Sequence, residues 1–119
     1  MRRSPLVELS KNVSDDCICI CSELNNIKEY IIANQLKKSC TSIGANIGEA
    51  IYAESKKDFI HKLHIAAKEC NESIYWIKII RDNNIIEDNK IKSMYNKCFS
   101  IKRMLSASIN TAKKTLSQE

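Results

Sequence analysis

Two glycines and one proline are all that interrupt 119 residues. A sheet protein of this length needs a turn signal between every pair of strands, and such signals are missing. The single proline, Pro5, also precedes any core element. What remains is a chain of long helices. An apolar fraction of 44% beside 28% charged residues is that of a globular domain and excludes a disordered one. The length suits one domain with one hydrophobic core. No apolar run approaches the ~20 residues that span a bilayer, and no signal-peptide pattern follows Met1-Arg2-Arg3, so a cytoplasmic protein without a membrane partner is expected.

Apolar residues recur at steps of three and four, the spacing of one helix face. The first stripe is Leu9, Val13, Cys17, Ile20, Leu24 and Ile27. The second, in a new register, is Ile32, Leu36, Cys40, Ile43, Ile47 and Ala50, which places a chain reversal near residues 25–31. Ser55-Lys56-Lys57-Asp58 reads as a capping box opening a third helix, its serine oxygen accepting from a free amide and its carboxylate returning the bond. That helix carries Phe59, Leu63, Ala66, Ala67, Cys70, Ile74 and Ile77, and Asp82-Asn83-Asn84 turns the chain after it. The fourth stripe is Ile91, Met94, Cys98, Ile101, Leu105, Ile109, Ala112 and Leu116. The pattern predicts an all-α, antiparallel up-down-up-down four-helix bundle, one domain over 1–119, with helices at about 6–26, 30–53, 56–82 and 87–115.

Two features go beyond a bundle. Gly44 and Gly48 lie one turn apart beside the second stripe, where each costs a helix about 1 kcal/mol against alanine. Close approach of another helix would compensate. The third helix also carries a second apolar face, Ile65, Trp76, Ile79 and Ile80, with Glu69 and Glu72 among them. A helix with two apolar faces has one more than its own core can use, and that face points to self-association.

The six cysteines do not read as chemistry. Disulfide scaffolds want a signal sequence and loop-rich spacing, and zinc sites want paired C-x2-C motifs. Cys17 and Cys21 share a helix face from which Cys19 points away, while Cys40, Cys70 and Cys98 fall within apolar stripes as small core residues. His61 and His64 stand three apart with nothing converging on them. Di-iron bundles need Glu-x-x-His on two helices, and neither Glu69 nor Glu72 has a histidine three residues on, while Glu49 is followed by Tyr52. Phosphate loops, nucleophile elbows and H-E-x-x-H are missing as well. The sequence predicts no enzymatic activity, no metal and no cofactor.

Net charge is +5, and residues 87–119 hold seven Lys and Arg against three Asp and Glu. On the fourth helix Lys92, Arg103 and Lys114 are eleven residues apart and nearly eclipse one another opposite the core stripe, with Lys102 and Lys113 beside them. Such a line meets phosphates without reading sequence. Aromatic side chains do not interleave with it, so base stacking is not expected.

The run Thr41-Ser42-Ile43-Gly44-Ala45-Asn46-Ile47-Gly48-Glu49-Ala50 is preceded by Gln35-Leu36 and Ser39 and followed by Ala53-Glu54-Ser55-Lys56-Lys57-Asp58-Phe59-Ile60. With Lys62-Leu63, Ile65-Ala66, Lys68-Glu69, Glu72 and Tyr75-Trp76, this stretch resembles the four helix bundle protein family. Its founding members are encoded by intervening sequences in large-subunit ribosomal RNA genes, and the accessory subunit of diversity-generating retroelements is related. The strong match spans about residues 35–80. The resemblance implies a bundle that assembles as a ring, typically a pentamer, with RNA or a reverse transcriptase as partners and no established enzymatic activity. Family members often carry Arg or another polar residue where Gly48 stands here. Two functions remain open at this stage. One is an oligomeric module binding RNA or a nucleic-acid enzyme through its basic surface, the other a structural or regulatory protein-interaction module with no nucleic-acid role.

Overall fold

The structure, a computed structural model, describes residues 4–87 and 89–119. It contains α1 (Pro5–Asn26), α2 (Tyr30–Ile51), α3 (Lys56–Asp82) and α4 (Asn89–Ser117), and no strand among the described residues. The expected helices are all present, with ends shifted by two residues at most. The expected start of the fourth helix near 87 is displaced to Asn89, residue 88 lying outside the described residues. Each helix packs on its sequence neighbours, and α1 closes the square against α4. The result is an elongated bundle of 53 × 27 × 21 Å.

Local chemistry explains where the helices stop. Lys28 adopts φ 65 and Asn84 φ 52, both in the left-handed region. After α1, the Glu29 amide reaches the Leu24 carbonyl at 2.8 Å and the Lys28 amide reaches Asn25 at 3.0 Å. After α3, Ile85 reaches Ile80 at 3.0 Å and Asn84 reaches Arg81 at 3.2 Å. These are two Schellman motifs, which satisfy the last free carbonyls of a helix and reverse the chain. Asparagine tolerates that conformation, whereas lysine occupies a seat that glycine normally fills. At the start of α3 the Asp58 amide donates to Ser55 Oγ at 3.1 Å. The returning bond differs from the expected box: the Asp58 carboxylate accepts from the Glu54 amide at 3.4 Å, one residue earlier than Ser55.

All four stripes face inward. Val13, Cys17, Ile20 and Leu24 meet Leu36, Cys40, Ile43 and Ile47 from α2, and Leu63, Cys70, Ile77, Met94, Cys98, Ile101 and Leu105 complete the core. Ile27 is the exception, half exposed because it falls in the reversal after α1. Between α2 and α3 the core carries a polar pair: Ser73 donates to Ser39 Oγ at 2.9 Å, and Ser39 donates to the Leu36 carbonyl at 3.2 Å.

The two helical glycines differ. A Cβ at Gly44 would meet Ser10 Oγ at 3.6 Å and Ser14 Oγ at 3.9 Å, so Gly44 sits where α1 crosses α2, at ordinary contact distance. Gly48 has nothing within 4 Å of that point. The expected close approach at Gly48 is therefore corrected: one turn beyond the crossing, the position opens to free space. No described helix is long and apolar enough to cross a membrane.

Candidate nucleic-acid interface

Residues 89–117 include seven Lys and Arg and no Asp or Glu. The core stripe of α4 fixes one side of the helix inward, which leaves the basic residues on the remaining arc. Lys92, Lys102, Arg103, Lys113 and Lys114 are all exposed. Lys97 faces α1 instead, where its Nζ lies 2.8 Å from Asp16 Oδ2, half-buried on both sides. That pair holds α4 against α1 and withdraws Lys97 from the basic surface. Lys92, Arg103 and Lys114 are eleven residues apart, a rise of roughly 16 Å per step along one line.

One expectation is overturned at this surface. Aromatic side chains do lie beside the basic line: Tyr95 and Phe99 occupy the α3-facing edge of α4, their ring centres 4.9 Å apart and tilted by 55°. Arg81 reaches over from the end of α3 and places its guanidinium carbon 4.7 Å from the centre of the Tyr95 ring. Lys102 Nζ stands 5.7 Å from the centre of Phe99. The i,i+4 spacing of Tyr95 and Phe99 was a usable signal, since it places both on one edge of the helix.

The proposed second face of α3 is partly present. Ile65, Trp76, Ile79 and Glu69 are half-buried and Glu72 is exposed. Trp76 packs against the core and makes an edge-to-face contact with Tyr75, ring centres 5.0 Å apart. Its indole N–H is buried with no acceptor in reach among the described residues. Ile80 does not belong to this face: it is fully buried. Three residues after Ile77, it lies at the edge of the core stripe, and its carbonyl receives the closing bond from Ile85. The sequence reading missed Tyr75, which is 55% exposed, and the exposed apolar ends of α2 at Ile31, Ile51 and Tyr52.

Five thiols are core fillers. Cys17 Sγ lies 3.7 Å from Cys21 Sγ, Cys21 points at the Ala33 carbonyl at 3.3 Å, and Cys70 at the Cys98 carbonyl at 3.2 Å. The hydrogen bond with Cys17 and burial push the Cys21 thiol well above its ordinary value. The bond with Cys70 and burial do the same to Cys98. At Cys17 the bond from Cys21 pulls down, but the bond with Cys40 and burial outweigh it, and the thiol is raised. Thiols kept protonated are poor nucleophiles and poor metal ligands. Only Cys19 is exposed, with Lys90 Nζ at 2.9 Å from its sulfur. Among the described residues, no three His, Cys, Asp or Glu side chains are grouped to hold a metal ion. His61 and His64 are both exposed.

No curated protein matches the sequence. A solved structure does: a protein of unknown function from the S23 ribosomal protein family of Bacteroides thetaiotaomicron, 35% identical, superposes with a TM-score of 0.83 over 87% of this chain and 97% of that one. The profile of the 23S rRNA-intervening sequence proteins matches residues 3–107, nearly the whole bundle. The chain belongs to the 23S rRNA-intervening sequence protein family.

Proposed function

We propose that this protein is a non-catalytic, self-associating module that holds nucleic acid, RNA in the first place, along the outer face of α4. A reverse transcriptase is the alternative partner that the family resemblance implies for the same surface. The observation that carries the reading is the α4 surface itself, where Lys92, Lys102, Arg103, Lys113 and Lys114 stand exposed with no acidic residue on the helix. An exposed, one-signed surface over about 33 Å attracts a polyanion and gains from the release of its counterions. Copies of the chain would meet through the outer face of α3 at Ile65, Glu69, Glu72, Trp76 and Ile79, which leaves α4 free for the partner. A ring of such copies, a pentamer by family resemblance, would join its basic faces and raise avidity.

The test is salt-dependent binding of structured RNA by the purified protein. Changing Lys92, Arg103 and Lys114 together to glutamine should weaken binding across RNA sequences. The salt slope should flatten by about two to three units, one per lost phosphate contact. Unaltered affinity in that variant would move the site away from α4. No binding by the parent protein even in low salt would leave a protein-interaction module without a nucleic-acid role.

A further inference from the structure

Cations alone bind phosphates, yet the α3–α4 corner offers more than cations. A half-enclosed depression of about 380 Å³ opens between Arg81, Ile86, Ile91, Lys92 and Tyr95. The side chains of Asn84, Asn96 and Glu87 stand at its walls, so amide donors, amide acceptors and one carboxylate are within the same space as two cations. Beyond Tyr95 the surface continues into a second, shallower depression of about 440 Å³ bounded by Asn96, Phe99, Ser100 and Arg103. The Tyr95 ring therefore lies between two hollows and Phe99 borders the second, both beside the line that runs from Lys92 to Arg103.

The chemistry of the first hollow is that of a base site. Apolar walls from Ile86, Ile91 and Tyr95 suit a flat, weakly hydrated ring, and its volume exceeds that of one nucleobase. The guanidinium of Arg81 is held by Asp82 Oδ1 at 2.9 Å and lies over Tyr95, which makes a second planar surface on which a base can stack. Glu87 disfavours a bare phosphate inside the hollow, whereas a base edge presents N–H groups that a carboxylate accepts. Phosphates would lie at its rim, at Lys92, and beyond it at Arg103. In a duplex the base faces are already stacked on one another and cannot reach such a site.

We propose that the α3–α4 corner binds an unpaired nucleotide, its base in the hollow against Tyr95 and Arg81 and its neighbour over Phe99. The α4 surface thereby takes single-stranded in preference to double-stranded nucleic acid. This rests on the nucleic-acid reading above and names the strand state that the site selects.

Fluorescence polarisation with labelled single strands of about twelve nucleotides, uridine or adenosine only, and with a duplex of matched charge, tests it. The parent protein should prefer the single strands. Tyr95→Leu with Phe99→Leu keeps apolar volume at the helix edge and removes the stacking surfaces. It should lower single-strand affinity about tenfold or more and leave duplex binding within about twofold. Tyr95→Phe should retain single-strand affinity, which separates loss of a ring from loss of fold, and circular dichroism of each variant reports the fold directly. Equal losses on both substrates, or none on either, would overturn the proposal. If the leucine variant still prefers single strands while the Lys92, Arg103 and Lys114 variant loses all binding, the stacking site is wrong and the basic surface stands. If the parent protein binds neither substrate, both readings fall together.

Discussion

Ser73 donates to Ser39 at 2.9 Å across the α2–α3 seam, and neither side chain is exposed. A hydroxyl pair in a dry core is stable while both members are present. Replacing either serine by alanine should cost about 1 kcal/mol, because the bond across the seam is lost while Ser39 keeps the Leu36 carbonyl and Ser73 the Glu69 carbonyl at 3.0 Å. The double alanine variant should cost clearly less than the sum, with a coupling of at least about 0.5 kcal/mol. Denaturant unfolding of the four proteins in the cycle measures this, and strict additivity would show that the pair does not interact.

Self-association is checked at residues that the fold leaves partly outside. Ile65→Glu with Ile79→Glu places charge on the outer face of α3 while sparing the fully buried Ile77 and Ile80. Light scattering should report a smaller, still helical species, since a desolvated carboxylate in an interface costs several kcal/mol. A parent protein that is already monomeric at micromolar concentration would end the assembly reading. Trp76 is a poorer probe than its size suggests, because it also packs against the core.

Alkaline pH should loosen the bundle. The Cys21 and Cys98 thiols are raised by their hydrogen-bonded thiol neighbours and by burial, and Cys17 is raised by Cys40 and burial against the opposing pull of Cys21. The unfolded chain ionises them near pH 8.5 while the folded chain keeps them protonated. Their contribution is therefore complete below about pH 8.5 and is lost as pH rises towards the folded values. Each raised thiol adds up to about 1.4 kcal/mol of loss per pH unit, and Cys70, lowered by its bond with Cys98, offsets part of it. At neutral pH a thiol reagent should modify one cysteine quickly, Cys19, and the other five only on unfolding. Rapid reaction of several thiols in the native state, or stability unchanged up to pH 10.5, would contradict the buried assignment.

Much of the fold was legible because helix periodicity is a property of one segment at a time. The α4 stripe from Ile91 to Ala112 is buried as read, and so is the run from Val13 to Leu24. Ile80 was misread for a geometric reason: at the edge of a stripe, a small rotation decides between core and surface, and the rotation is set by the neighbouring helix. Gly48 shows the same limit, since a glycine in sequence does not say whether another backbone comes near. The contact of Arg81 with Tyr95 depends on the chain reversing at Asn84, which brings together two side chains from different helices. The basic line on α4 was readable within one helix, while its aromatic company required the α3–α4 turn.

Three of the four seams join helices that follow one another through connections of three to six residues, and only the α1–α4 seam joins the two ends of the chain. Loop closure is inexpensive for the first three and is paid in full only for the last. Adjacent hairpins are therefore expected to form first, with the closing of α4 onto α1, where Lys97 meets Asp16, as the expected final step and the first to reverse. In native-state hydrogen exchange, amides along that seam should open at lower free energy than those between α2 and α3. On that expectation the element that carries the basic surface is also the one whose docking completes the fold, and a ligand held along α4 and α1 together should raise the protection of that seam in the same exchange experiment.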